Sequence, residues 1–137
     1  MNFSYPYTVT PQEPIGFLVQ FVDFEEGFTE GDTLEEAAFN AAEVLSGVVA
    51  CRLDQGQSIP QPSLAEGRPL ASPSVSVQSA LLMRQARGDR SMAELARGLD
   101  TSWAAAQRLE DPDHWPSLKQ LDRAIRLLGK RLVLSVE

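Results

Sequence analysis

Phe21-Val22-Asp23-Phe24-Glu25-Glu26-Gly27-Phe28-Thr29-Glu30-Gly31-Asp32-Thr33-Leu34-Glu35-Glu36-Ala37-Ala38-Phe39-Asn40-Ala41 is the stretch in which the hydrophobic period changes. Just before it, Phe17, Val19 and Phe21 alternate on one face, the pattern of a half-buried strand. A short loop, Asp23 to Gly27, leads to a brief strand at Phe28-Thr29-Glu30, which Gly31-Asp32 ends. From Thr33 the spacing is helical. Leu34, Ala37, Ala38, Ala41, Leu45, Val48 and Val49 recur along one face. Thr33-Leu34-Glu35-Glu36 reads as a capping box, in which the hydroxyl accepts from the Glu36 N–H and the Glu36 carboxylate reaches back to Thr33. Glu35 and Glu36 also suit the positive end of the helix dipole. The helix is predicted to run to about Leu53 and to stop before Gly56.

Working outward, Tyr5, Tyr7 and Val9 alternate as a further strand, with Pro6 near an edge or a strand start. Pro60, Pro62, Pro69, Pro73, Gly56 and Gly67 make the stretch 56–73 a loop, and Val75-Ser76-Val77 reads as one more short strand. The N-terminal part is then β-β-β-α-β. One helix covers one face of its sheet and leaves the other face or an edge to a partner. From Ser79 the pattern is helical. Ala80–Arg87 carries Leu81, Leu82 and Ala86. Ser91-Met92-Ala93-Glu94 caps a short helix ending at Gly98, and Leu99-Asp100 is a tight turn. Thr101 or Ser102 caps a helix from Trp103 to Glu110. Ser117-Leu118-Lys119-Gln120 opens a last helix through Leu121, Ala124, Ile125 and Leu128, with Gly129 just past its end. Leu132, Leu134 and Val136 alternate in Arg131–Val136, a predicted strand. The fold class is α+β, with domains expected at 1–78 and 79–137.

The chain has 137 residues, 12 basic against 19 acidic, for a net charge of -7. Residues 1–79 hold 2 basic and 11 acidic groups, a net of -9, and the remainder is +2. An acidic half joined to a slightly basic half suggests two modules with different partners. An apolar fraction of 43% is enough for a real core. No run approaches the roughly 18 apolar residues of a membrane span. The first residues lack the basic and apolar regions of a secretory signal, so the expected location is the cytoplasm. A single cysteine, Cys51, and a single histidine, His114, leave no internal disulfide and no histidine-based metal site. Cys51, late on an apolar helix, reads as a packing residue. Hydrolysis of the RNase H type needs carboxylates converging on Mg²⁺. Asp23, Asp32, Glu36 and Glu43 are placed for it, but no further acid follows at 75–77. No catalytic residue, metal or cofactor is expected, and the protein is not expected to be an enzyme.

The helical part resembles the Cro/C1 (Xre-like) helix-turn-helix domains over about residues 80–130. Leu95, Ala96, Leu99, Ala106 and Leu109 stand where that motif buries apolar side chains, and the run Pro116-Ser117-Leu118 to Gly129 follows as in the family. The resemblance implies that the helix capped by Ser102 enters the DNA major groove. Trp103, Ala104 and Gln107 would face bases, Arg108 would lie near the backbone, and Ser91 would open the preceding helix toward a phosphate. Met92 stands where the family usually has Gln, Ala104 and Ala105 replace polar residues, and Asp111–Asp113 is acidic.

The stretch quoted first resembles the signature of HicB-type antitoxins, F-P-D-x-x-G-x-x-T-x-G-D-T-x-E-E-A, with Val22 in place of the usual proline. That resemblance implies a partially RNase H-like fold without catalysis, which binds a small basic HicA-like mRNA-interferase toxin. Asp23, Glu25, Glu26 and Glu30, interleaved with Phe24 and Phe28, have the composition of an interface hot spot and are the expected toxin-binding residues. The joint expectation is a type II antitoxin. Residues 1–78 would neutralise the ribonuclease, and the helix-turn-helix would repress the operon at operator DNA. A homo-oligomer, dimer or tetramer, would pair through Leu132, Leu134 and Val136. The alternative is a stand-alone helix-turn-helix regulator whose N-terminal domain senses a ligand or dimerises.

Overall fold

Alternation does make the first three strands: β1 (Tyr5–Pro11), β2 (Phe17–Phe21) and β3 (Phe28–Gly31). They appear in a computed structural model that describes all 137 residues. β2 pairs antiparallel with both neighbours, with Val19 opposite Val9 on one side and Thr29 on the other. The helix α1 (Leu34–Asp54) follows, then the two-residue strand β4 (Leu70–Ala71) on the far side of β1. The sheet order is β3-β2-β1-β4, all antiparallel. Five helices complete an α+β chain: α1, α2 (Val75–Arg87), α3 (Met92–Gly98), α4 (Trp103–Gln107) and α5 (Leu118–Leu127). It divides into two units, Met1–Val77 and Gln78–Glu137.

In the first unit α1 buries Ala37, Ala41, Leu45 and Val49, one residue per turn, against Tyr5, Tyr7, Val19 and Phe21 of the sheet. Thr33 caps the helix, its hydroxyl accepting from the Glu36 N–H at 3.1 Å, but the Glu36 carboxylate does not return to Thr33 and the expected capping box is half made. The helix can lie close to the sheet because Gly31 sits beneath its first turn. A Cβ there would fall 2.4 Å from the Ala37 nitrogen. Buried rings close the other end: Tyr5 meets Phe24 at 4.9 Å and Tyr7 meets Phe21 at 5.5 Å between centroids. The Tyr5 hydroxyl donates to the Pro60 carbonyl at 2.7 Å.

Burial pushes the Tyr5 phenol up to about 12, with the Asp23 charge adding and Arg52 opposing. Burial raises Tyr7 as well. A phenol held neutral in the fold contributes stability that is complete below its ordinary value of 10.0 and is lost as pH climbs toward about 12. The expected result is that tyrosinate absorbance rises later than in the urea-unfolded chain, while stability to urea falls as pH climbs from 10.0 toward about 12. Tyr5→Phe removes most of that pH dependence.

The second unit is built on Met83, Ala86, Leu95, Ala96, Leu99, Ala106, Leu109, Leu121, Ala124, Ile125 and Leu128. α3 ends in a Schellman turn: Asp100 N–H bonds the Arg97 carbonyl and Thr101 N–H the Ala96 carbonyl, with Asp100 at φ 53°. Ser102, the second of the two proposed caps, opens α4. The last turn of the expected helix tightens into a 3₁₀ turn at Arg108–Glu110. α5 has the complete capping box, Ser117 with Gln120. It ends in a second Schellman turn, with Gly129 at φ 77°. Glu110 on the 3₁₀ turn accepts two bonds from Arg87 at the end of α2, at 2.6 and 3.0 Å.

Four expectations are corrected. Val75–Val77 is the first turn of α2 and not a strand. Val77, Ala80 and Leu81 are buried at i, i+3 and i+4, and three residues of alternation cannot outweigh that continuation. The last strand lies instead inside the proline-rich loop. There Leu70 and Ala71 pair with Pro6 and Tyr5, in a run too short to show a period. Arg131–Val136 forms no strand in this chain. Leu132 packs on the helical core while Leu134 and Val136 stand exposed, and an extended segment needs a second strand to become one. Cys51 is exposed, not packed, because it lies off the face of α1 that carries Leu45 and Val49.

Candidate functional site

The acidic loop between β2 and β3 is tied down from several directions. The Gln20 side-chain amide donates toward the carbonyls of Phe21, Phe24 and Gly27 at 3.1, 3.0 and 3.3 Å. Phe21 N–H bonds the Gly27 carbonyl and Gly27 N–H the Phe24 carbonyl. Phe24 therefore turns inward, fully buried against Tyr5 with the Arg52 guanidinium 5.0 Å from its ring centre. It is a core residue, and its expected place in a toxin contact is withdrawn. A sequence pattern of alternating acids and rings does not say which rings the loop folds inside.

The carboxylates are largely engaged within the chain. Glu26 forms a two-pronged pair with Arg52, both contacts at 2.8 Å, and Arg52 also donates to the Ser58 carbonyl. The Arg52 hydrogen bond holds the Glu26 carboxyl below the usual carboxylate range, aided by a backbone hydrogen bond, and raises Arg52 in turn. Asp23 accepts from the backbone N–H of Ser63 at 2.9 Å and from its hydroxyl. Glu30 accepts from Gln12 at 3.0 Å, and its carbonyl takes the Asn40 amide of α1 at 2.8 Å. Of the six residues singled out in the sequence, Glu25 and Phe28 are the ones presented outward with no partner in the chain; Phe28 is 60% exposed.

Sequence reasoning passed over Phe39. It is 66% exposed on α1, one turn from Glu35, Glu36 and Glu43. The signal was available, because Phe39 falls outside the Ala37, Ala41, Leu45 spacing.

In the second unit Ser91 and Ser102 cap α3 and α4, their hydroxyls accepting from Glu94 and Ala105 N–H at 3.1 Å. Trp103, Ala104, Gln107 and Arg108 are all exposed, Trp103 at 53%. The turn Leu99–Ser102 thus delivers a short helix whose outer residues are free to meet another molecule. No cluster of three or more His, Cys, Asp or Glu is arranged to hold a metal ion, and no helix is long and apolar enough to cross a membrane.

A small acidic sheet unit with Asp23 and Glu26 of its β2–β3 loop tied internally, followed by a helical unit with an exposed short helix, has the make-up of a binding protein. Residues 4–78 match the family described as HicB-like antitoxin of bacterial toxin-antitoxin systems. The chain is similar to Antitoxin HicB 1 of Photorhabdus laumondii, 30% identical across 99% of this chain and 88% of that protein. It is also similar to Antitoxin HicB of Escherichia coli K12, 31% identical across 95% and 96%. Antitoxin HicB 2 of Photorhabdus laumondii is 32% identical across 97% and 96%. The chain belongs to the HicB-like antitoxin family, and membership of an antitoxin family places it outside the enzymes.

Proposed function

We propose that this chain is the antitoxin of a type II pair, with its acidic unit binding a small basic HicA-like ribonuclease and covering the surface that grips RNA. The observation that carries this reading is the charge partition, -9 before residue 80 and +2 after it, within a chain whose relatives named Antitoxin HicB align over both units. A nuclease that holds RNA presents positive charge, and opposed fields speed its capture by an acidic module. The antiparallel sheet covered by one helix is read as a partial RNase H-like fold, and the site of action as the cytoplasm. The helical unit is read as a Cro/C1-type helix-turn-helix that holds the pair at operator DNA. Ser91, Ser102, Trp103, Ala104, Gln107 and Arg108 form its DNA face. Two such faces about 34 Å apart would be needed, supplied by pairing of the exposed Leu134 and Val136 between copies, Leu132 being held on its own core.

The test is co-expression with the neighbouring small basic reading frame. Co-purification and relief of growth arrest are expected. Absence of such a gene would favour a stand-alone regulator. Asp23 and Glu26 are poor probes of this contact because their substitution unties the loop; Glu25→Lys with Phe28→Ser leaves the ties intact. For DNA, Arg108→Ala is expected to weaken operator binding and to lower the salt slope by about one, measured by fluorescence anisotropy across a salt series. Deleting residues 131–137 is expected to leave a monomer in light scattering.

A further inference from the structure

We infer that the outward face of α1, and not the β2–β3 loop, is the principal contact for the basic partner; the inference rests on the antitoxin reading and assigns its surface. The face follows from the helix repeat. With Ala37, Ala41, Leu45 and Val49 inside, the opposite side carries Glu36, Phe39, Glu43, Gly47, Ala50 and Asp54. Glu36, Phe39, Glu43, Gly47 and Asp54 are exposed, and Ala50 is half-buried.

Three observations converge on this face. The first is charge. Asp23, Glu26 and Glu30 are already hydrogen-bonded within the chain, whereas Glu36, Glu43 and Asp54 have no side-chain partner in it. Glu13, Glu25, Asp32 and Glu35 are also unpaired, but Glu36, Glu43 and Asp54 share one side of α1, and no basic residue shares that side. The second is Phe39. An aromatic ring left 66% exposed and flanked by carboxylates has the make-up of an anchor residue. The third is Gly47. A glycine inside a helix is less stable than alanine by about 1 kcal/mol. A Cβ at Gly47 would meet nothing within 4 Å, so the chain's own packing does not require its absence. Gly47 and Ala50, one turn apart, instead leave a shallow strip beside the ring where another backbone can approach closely. The occupant is the cationic surface of the partner nuclease, with an apolar pocket for Phe39 and basic side chains reaching Glu36 and Glu43.

The experiment measures binding of the full-length chain to the catalytically inactivated HicA-like protein encoded beside it, by titration calorimetry. Phe39→Ala is expected to weaken binding about thirtyfold, in the range of a hot-spot truncation. Gly47→Leu is the discriminating variant. It removes a helix-weakening residue from open space, so the melting temperature is expected to hold or rise while affinity falls about tenfold. Glu43→Gln is expected to reduce the salt dependence of binding. Binding of Phe39→Ala and Gly47→Leu within twofold of the parent, with loss in Glu25→Lys/Phe28→Ser, would overturn the assignment and move the contact to the sheet edge. Failure of the unaltered chain to bind would instead remove the antitoxin reading itself, and this assignment with it.

Discussion

Gly31→Ala is expected to destabilise the N-terminal unit by about 3 kcal/mol, the upper end of what overpacking costs. The added methyl carbon would stand 2.4 Å from the Ala37 nitrogen and 2.8 Å from the Ala37 Cα and the Glu36 carbonyl carbon. These are backbone atoms at the start of α1, so no rotamer change relieves them. The helix must lift from the sheet, and lifting it exposes Ala37 and Ala41, both at most 1% exposed in the native unit. Urea unfolding followed by circular dichroism should show an earlier transition for Gly31→Ala, with α1 signals lost first. Gly67→Ala is a useful comparison, since a Cβ there would meet nothing within 4 Å. Its cost is confined to its φ of 84° and is expected to be about 1 kcal/mol.

Glu110→Ala is expected to be comparably damaging to the helical unit, at about 3 kcal/mol, for an electrostatic reason. The Glu110 side chain is 10% exposed and that of Arg87 21%. Removing the carboxylate strands a guanidinium in a largely dry place and frees the 3₁₀ turn that follows α4. Arg87 also donates to the Arg90 carbonyl at 2.6 Å, so the connection from α2 to α3 loosens too. An arginine guanidinium does not give up its proton in a protein, so the charge will not be shed instead. The double variant Arg87→Met/Glu110→Leu is expected to recover most of the stability, because an apolar pair needs no desolvation. Thermal unfolding of the three variants separates the stranded charge from simple loss of contact. A single-variant loss no greater than that of the double variant would show that the pair contributes little.

Much of the architecture was legible because it is written in local chemistry. Thr33, Ser91, Ser102 and Ser117 each stand one residue before a helix and accept from the N–H three residues on, although only Ser117 completes a capping box. Gly129 marks the end of α5 for the same local reason. Val75–Val77 was ambiguous, since alternation over three residues is also the first turn of a helix. β4 was invisible, because two residues between prolines carry no period and are recruited only by β1. The site was harder to read. That Phe24 lies inside rests on Tyr5 and Arg52, both distant along the chain, together with the Gln20 amide. The acids of the loop looked like an offered surface because a sequence records charges without their counterparts at Arg52, Ser63 and Gln12.

The anchoring of the Phe24 and Gly27 carbonyls by one Gln20 side chain has an evolutionary corollary. A rim held rigid by residues that face inward leaves its outward residues at liberty to vary. Exchanges at Glu25 and Phe28 can therefore accumulate while the scaffold stays as it is, without any need to relearn how to fold.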